Sequence, residues 1–238
     1  MMDQQTSKTA VVAGATGLVG RELVRQLLEQ PSYCKVTVLV RRTTGLSHPK
    51  LSERQISFDR LEEELNGERN EGLLQGADVF CALGTTIKTA GSQEAFRRVD
   101  YEYPLALGRA ARRGGAACYV IVSSLGADPQ SRIFYSRVKG ETERDLTALG
   151  LPRLVILRPS LLLGDRQEKR PGERAAAVLF KPLGTLMIGP LAKYRAIEAR
   201  TVAIAMRLAA REAGGPQVEV IDSGRMASLV SAAGSCRS

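Results

Sequence analysis

Short apolar runs alternate with amphipathic helical patterns along most of the chain. Apolar runs of strand length lie at residues 8–13, 35–40, 54–58, 77–84, 117–122 and 153–157, with a last short run at 218–221. After the first run, Leu23, Val24, Leu27 and Leu28 recur at helical spacing. This alternation predicts an α/β fold, a Rossmann-type doubly wound parallel sheet with right-handed crossovers.

Further helices are predicted over parts of 61–75, with a break near Asn66-Gly67, over 91–113, and from about residue 135 to about Leu149. Ile197, Ile204 and Leu208 mark one face of another helix.

The alternation stops at residue 164. A charged loop and then an apolar stretch occupy residues 164–190, which we interpret as a small C-terminal region that covers the substrate. The tail, residues 224–238, is rich in Ser, Ala and Gly and is predicted to be loosely ordered. A length of 238 residues, 44% of them hydrophobic, favours one domain over the whole chain.

A glycine-rich turn joins the first predicted strand to the first helix. Gly14, Gly17 and Gly20 follow the spacing G-x-x-G-x-x-G. Glycines let the backbone approach a pyrophosphate closely, and the helix N-terminus directs N–H groups at it. The turn therefore predicts a dinucleotide site, and a plain glycine turn before a helix is the alternative.

Arg41 and Arg42 directly follow the second predicted strand. An acidic residue there would bind the ribose hydroxyls of NAD, whereas guanidinium groups bind a 2′-phosphate. The pair therefore favours NADP(H) over NAD, unless these are simply two of many surface arginines.

Tyr135 and Lys139 are four residues apart in a predicted helix and so lie on one face, one turn apart. An ammonium group beside a phenol favours the phenolate and suits the tyrosine to general acid/base work. Ser123 and Ser124 end the fifth predicted strand. Taken alone, the Tyr135/Lys139 pair is also explained by a solvated helix face, and the serine pair by the end of a strand. Together the two pairs predict one active site.

Composition narrows the other possibilities. Four well-separated cysteines and one histidine, His48, indicate a reduced, intracellular protein and no metal site. A polar start and the lack of long apolar runs predict a cytoplasmic protein outside the membrane. The net charge of +9 would suit nucleic acid, but the arginines are scattered and no aromatics lie between them, so a basic surface is favoured.

These motifs together resemble the short-chain dehydrogenase/reductase superfamily, and Arg158-Pro159 resembles its atypical or extended branch. Longer strings, such as residues 83–86, 123–128, 138–141 and 165–173, are similar to the group of Tat-interacting-protein-like NADPH-binding oxidoreductases. The resemblance covers about residues 8–222 and is specific for fold and cofactor, not for substrate.

The resemblance implies a role for each matching residue. Tyr135 would exchange the proton of the carbonyl or alcohol, Lys139 would assist it and bind the nicotinamide ribose, and Ser124 or Ser123 would bind the reacting oxygen. Cofactor contacts are implied for the backbone from Thr16 through Gly17 and Leu18 to Val19, and for Arg41, Arg42, Leu83, Gly84, Leu162 and Arg170.

One departure concerns the proton relay. Many superfamily members use an asparagine in the fourth helix, but the only asparagines here, Asn66 and Asn70, precede that helix, and the Val-Asn of extended members is Val99-Asp100.

Two functions stay open: an NADP(H)-dependent oxidoreductase acting on a small carbonyl or alcohol, and an NADPH-binding redox-sensing regulator with a protein partner. The superfamily's usual homodimer is a further possibility.

Overall fold

One parallel sheet of seven strands organises the fold. It is seen in a computed structural model that describes residues 7–163, 194–211 and 214–235. The strands of this sheet are β1 (Lys8–Ala13), β2 (Tyr33–Val40), β3 (Leu51–Gln55), β4 (Asp78–Cys81), β5 (Cys118–Val122), β6 (Leu154–Arg158) and β9 (Val218–Asp222). Their order across the sheet is β3-β2-β1-β4-β5-β6-β9. The short strands β7 (Leu162–Leu163) and β8 (Ile197–Glu198) pair in parallel beside it.

The described helices are α1 (Leu18–Glu29), α2 (Leu61–Asn66), α3 (Ile87–Ala90), α4 (Gln93–Arg97), α5 (Tyr103–Arg113), α6 (Phe134–Ala148), α7 (Ala199–Ala209) and α8 (Ser223–Ser235). A π-helical turn, Arg98–Glu102, joins α4 to α5, and short 3₁₀ turns lie at Phe58–Arg60 and Glu68–Asn70. Within the described ranges, none of these helices combines the length and the apolar character that crossing a bilayer requires.

Helices cover both faces of the sheet because successive strand residues point to opposite sides. One core contains Leu23 of α1, Met206 of α7 and Met226 of α8. The other contains Leu107 of α5 and Leu146 of α6. The predicted doubly wound Rossmann-type fold is therefore confirmed.

The third strand lies earlier than expected. We predicted it at residues 54–58, but β3 pairs with β2 from Leu51 to Gln55. Phe58 begins a 3₁₀ turn and is buried, because its ring belongs to the core beside α5. A buried aromatic just past a strand imitates the strand pattern.

The predicted helix over 91–113 is in fact two helices joined by the π-helical turn, with α3 before them. Gly91 adopts a φ of +84° and ends α3, and the Ser92 hydroxyl accepts the N–H of Ala95 at 3.0 Å to begin α4. Ile197 lies in β8 rather than on the predicted helix face, and Ile204 and Leu208 are only half-buried. The buried side of α7 is formed by other residues, such as Val202 and Met206. The predicted break at Asn66-Gly67 is confirmed.

The expectation of a loosely ordered tail is wrong as far as the described residues reach, because α8 occupies most of it. Met226 is fully buried against the core, so tertiary packing outweighs the low helix propensity of the glycines and serines. The predicted substrate cover at 164–190, together with Arg170, lies outside the described residues.

We expect Met226→Ala to lower the free energy of unfolding by about 2–4 kcal/mol, since it removes a fully buried side chain and leaves a cavity. Denaturant unfolding measures this directly. Ser228→Ala, on an exposed position of the same helix, should change it by less than about 0.5 kcal/mol. Equal stability of the two variants would mean that α8 does not contribute to the core.

Candidate functional site

A cavity of about 560 Å³ opens at the carboxyl edge of the sheet. It lies where the strand order reverses between β1 and β4, which is where ligands bind in open α/β sheets. Four strand ends and three helices supply its walls. The described lining residues are 16–19, Arg21, 82–86, Thr89, Asp100, Val122, Ser123, Tyr135, Lys139 and 160–162.

The three glycines of the turn after β1 are required for different physical reasons. Gly14 has a φ of +86°, and a Cβ there would lie 2.5 Å from the Ala82 backbone. A Cβ on Gly20 would lie 2.0 Å from the Gly14 carbonyl oxygen, so Gly20 lets α1 pack against the turn. A Cβ on Gly17 would lie 3.4 Å from its nearest neighbour, the Gly14 carbonyl oxygen, and Gly17 lines the cavity. Gly14 and Gly20 therefore shape the turn, whereas Gly17 leaves room for a ligand.

The N-terminus of α1 fits a phosphate group. Its first-turn N–H groups have no partner inside the helix, and Gly17 supplies no side-chain cap. The first turn contains no acidic residue, and Arg21 lines the same cavity. Unpaired N–H groups, the helix dipole and a nearby guanidinium all favour an anion such as a pyrophosphate.

Helix α6 carries Tyr135 and Lys139 into the cavity, as their four-residue spacing predicted. The Tyr135 ring packs on Phe96 of α4 with ring centroids 5.5 Å apart. Gly140 fixes the helix against the preceding loop, since a Cβ there would lie 2.2 Å from the backbone of Asp128 and Pro129. The phenol and the ammonium are thus held by packing on two sides.

Lys139 is buried and forms an ion pair with Asp100, with Nζ 2.7 Å from Oδ1. The other oxygen of Asp100 accepts the N–H of Thr85 at 2.9 Å. Burial alone would lower the pKa of Lys139, but the Asp100 carboxylate and the Tyr135 phenol outweigh it, and the pKa is raised. The sequence analysis did not assign Asp100 to the site, although its place in Val99-Asp100 was noted as a departure.

The two serines after β5 have different surroundings. Ser123 is buried, lines the cavity and donates its hydroxyl proton to Glu143 of α6. Arg158 also donates from Nε to Glu143, at 3.0 Å to Oε2. Ser124 is half-buried, is absent from the described cavity lining, and donates to the Leu125 carbonyl at 3.2 Å.

Sequence analysis missed Glu143, although a pattern could have revealed it. Tyr135, Lys139 and Glu143 recur every four residues and so share one face of α6. Burial of a lysine and a glutamate on the inward face of one helix is unusual unless both are paired.

Most of the other residues to which cofactor contacts are assigned line the cavity, and the contacts themselves stay a prediction. Leu83, Gly84 and Leu162 line the cavity together with the backbone from Thr16 to Val19. Arg41 and Arg42 are exposed after β2 and do not occur among the described residues of the lining. Arg170 cannot be compared, since it is not among the described residues.

Comparison with known proteins agrees with this geometry. The chain matches the family described as NAD(P)H-binding over residues 14–177. Protein HTATIP2 of Rattus norvegicus is 37% identical over 181 residues, 74% of this chain and 72% of that protein. The mitochondrial protein FMP52 of Eremothecium gossypii is 34% identical over 230 residues, 93% of this chain and 96% of that protein.

Solved structures share the fold. MoeE5 in complex with UDP-glucose and NAD has a TM-score of 0.65 at 18% identity, covering 96% of this chain and 81% of its own. UDP-glucose 4-epimerase of Thermotoga maritima, with UDP-glucose, has a TM-score of 0.63 at 19% identity, covering 95% and 82%. These identities support the fold alone.

Fold and sequence together define an NAD(P)-binding protein of the short-chain dehydrogenase/reductase superfamily. The chain belongs to the NAD(P)H-binding family and, among the atypical short-chain dehydrogenase/reductases, to the group that contains HTATIP2 and FMP52. The predicted resemblance is thereby confirmed. The cytoplasmic location stays a prediction, because the fungal relatives are named mitochondrial.

Proposed function

We propose that this protein is an NADP(H)-dependent oxidoreductase that interconverts a small carbonyl compound and its alcohol. One observation carries the proposal: Tyr135, Lys139 and the phosphate-binding turn around Gly17 line the same cavity. A protein that only binds the nucleotide has no need of a phenol that can exchange a proton on that wall.

The bound cofactor would supply or accept the hydride, and the chain's own residues position and charge the site. The backbone from Thr16 to Val19 would hold the pyrophosphate, with Arg21 as an added positive charge. Leu83, Gly84 and Leu162 would contact the rest of the cofactor. Tyr135 donates the proton to the carbonyl oxygen or accepts it from the alcohol, and the Lys139 ammonium stabilises the phenolate left behind.

Ser124 is the better candidate for the hydroxyl that binds the reacting oxygen, although Ser123 and not Ser124 belongs to the described cavity lining. A hydroxyl has one proton, and Ser123 already donates its own to the Glu143 carboxylate. The bond from Ser124 to Leu125 is local and comparatively long at 3.2 Å, so rotation of the side chain would redirect the Ser124 hydroxyl toward the cavity. Ser123 would then serve as an acceptor on the cavity wall.

The proposal is tested first by fluorescence titration of the purified protein with NADPH and NADH, followed by a screen of small aldehydes and ketones with NADPH. Binding of NADPH and its oxidation by at least one carbonyl substrate is the expected result. NADPH binding without turnover of any carbonyl, and without oxidation of any alcohol by NADP⁺, would contradict the assignment as an oxidoreductase.

The preference for NADP(H) rests on Arg41 and Arg42. We expect the double change Arg41→Ala, Arg42→Ala to lower the affinity for NADPH at least about tenfold, or by about 1.4 kcal/mol of binding free energy. The 2′-phosphate loses its guanidinium partners in this variant. NADH affinity should change less than about twofold, since NADH lacks that phosphate. Arg112→Ala with Arg113→Ala, a second exposed pair at the end of α5, controls for the loss of two positive charges. An equal loss of affinity for NADPH and NADH would contradict the assignment of Arg41 and Arg42 to the 2′-phosphate.

The second candidate is an NADPH-binding regulator with little or no turnover that reports redox state to a protein partner. The ion pair between Lys139 and Asp100 favours it, because the carboxylate offsets the positive charge that would otherwise activate Tyr135. A partner whose binding depends on NADPH, found together with absent turnover, would support the regulator.

A further inference from the structure

Asp100 has no assigned role in the reaction just proposed, yet it is among the most enclosed groups of the site. Its side chain is 1% exposed, and that of Lys139 is 6% exposed. A buried ammonium without a partner is strongly disfavoured and gives up its proton instead. The question is which group lets Lys139 keep its charge.

In the part of the chain that the structure describes, the titratable groups facing Lys139 come from three elements. Tyr135 lies one turn away on α6, Cys81 ends β4, and Asp100 comes from the π-helical turn. Burial raises the pKa of the Cys81 thiol, which therefore stays protonated and uncharged near neutral pH. Asp100 is the carboxylate among the three, and its Oδ1 is 2.7 Å from the ammonium nitrogen.

Asp100 is itself fixed from two directions. Its Oδ2 accepts the N–H of Thr85 in the loop after β4, at 2.9 Å. Its backbone carbonyl lies 2.9 Å from the hydroxyl of Thr142 on α6, whose one proton is shared between this carbonyl and that of Val138 at 2.8 Å. One residue thus joins the loop that lines the cofactor cavity to the helix that carries Tyr135 and Lys139.

The π-helical turn is what brings Asp100 to this point. The segment Arg98–Glu102 interrupts the regular α-helical bonding between α4 and α5. Such π turns are rare, appear mostly as single turns inside α-helices, and are frequent at functional sites. Phe96, before the turn, and Leu107, after it, are both fully buried.

We propose that Asp100 is a positioning residue, the counter-ion that keeps Lys139 protonated and fixed beside Tyr135. Its catalytic consequence rests on the function proposed above, whereas its effect on Lys139 does not. The site contains a neutral ion pair of Lys139 and Asp100 rather than an isolated ammonium.

The test measures the protonation of Lys139 in the protein without cofactor or substrate. Lysine labelled with ¹³C at Cε is introduced, and the eight lysines are followed by NMR across a pH titration. The Lys139 signal is identified by its loss in Lys139→Met. In the wild-type protein we expect Lys139 to remain an ammonium at least up to the ordinary lysine pKa of about 10.4.

Asp100→Asn keeps an acceptor for Thr85 but turns an amide N–H₂ toward the ammonium. We expect the pKa of Lys139 to fall by at least about two units in this variant, as for other buried lysines without a counter-ion. Asp145→Asn is the matched control. Asp145 lies on α6, the helix that carries Lys139, and its carboxylate binds Tyr101 and Arg144. Its removal should leave the pKa of Lys139 unchanged.

Two results would overturn the proposal: deprotonation of Lys139 well below the ordinary lysine pKa in the wild-type protein, or an unchanged Lys139 titration in Asp100→Asn. If Asp100→Asn does not fold, the wild-type titration still decides. None of these readings requires turnover, so a failed carbonyl screen would refute the oxidoreductase and leave the role of Asp100 standing.

Discussion

Tyr135→Phe should lower turnover of a carbonyl substrate by about 10²–10⁴-fold, the usual contribution of a positioned general acid or base. The change removes one oxygen and no ring atoms, so the contact with Phe96 at 5.5 Å is kept and the fold should not move. NADPH affinity should change by less than about twofold, because we assign the cofactor's phosphates to the glycine turn before α1 and not to the Tyr135 hydroxyl. Steady-state rates and a fluorescence titration on the same preparation separate the two effects.

Tyr101→Phe is the control for this prediction. It removes a phenol oxygen from the π-helical turn, where the Tyr101 hydroxyl donates to Asp145 at 2.8 Å. Tyr101 is not among the described residues of the cavity lining. Its turnover should stay close to that of the wild-type protein. Retained turnover in Tyr135→Phe would show that another group handles the proton, whereas loss of NADPH binding in that variant would show that the tyrosine acts in binding instead.

Gly140→Ala should lower the free energy of unfolding by about 3 kcal/mol, toward the upper end of the usual cost of overpacking. The added Cβ would lie 2.2 Å from backbone atoms of Asp128 and Pro129, and backbone cannot rotate away as a flexible side chain can. In a chain of this size the loss corresponds to a decrease in Tm of about 6–12 °C. Thermal unfolding followed by circular dichroism measures it.

The same substitution should also weaken the site, since α6 must move away from the loop at Asp128 and takes Tyr135 and Lys139 with it. Gly234→Ala is the matched control, because a Cβ there meets nothing within 4 Å. In a helix that change should stabilise by about 0.5–1 kcal/mol. An unchanged Tm in Gly140→Ala would show that α6 tolerates a wider separation from the loop than its contacts indicate.

Local patterns predicted the fold and much of the candidate site, because both depend on features that neighbours in sequence share. Periodicity indicated the strands, the glycine spacing indicated the turn after β1, and the four-residue spacing brought Tyr135 and Lys139 to one wall. Ligand sites at the carboxyl ends of parallel strands follow from the topology itself. Leu83, just past the end of β4, could therefore be assigned to the cavity, whereas Leu162 was assigned to it only by the family resemblance.

What the sequence did not reveal depends on contacts between distant segments. The pairing of Asp100 with Lys139 joins a π-helical turn to α6, and no periodicity encodes it. Ser123 and Ser124 look alike in sequence, and only the nearness of Glu143 distinguishes their hydroxyl protons. Met226 stabilises α8 from within a segment whose composition favours disorder, because burial is decided by the surrounding fold.

The π-helical turn at Arg98–Glu102 also has a consequence for how the gene can change. A π turn contains one more residue than an α turn over the same hydrogen-bonded span, so inserting or deleting a single codon is enough to create or remove it. The helices on either side keep their inward faces, since Phe96 and Leu107 remain buried on both sides of the turn. A lineage could thus gain or lose the charged partner of Lys139 in one step without rebuilding the core.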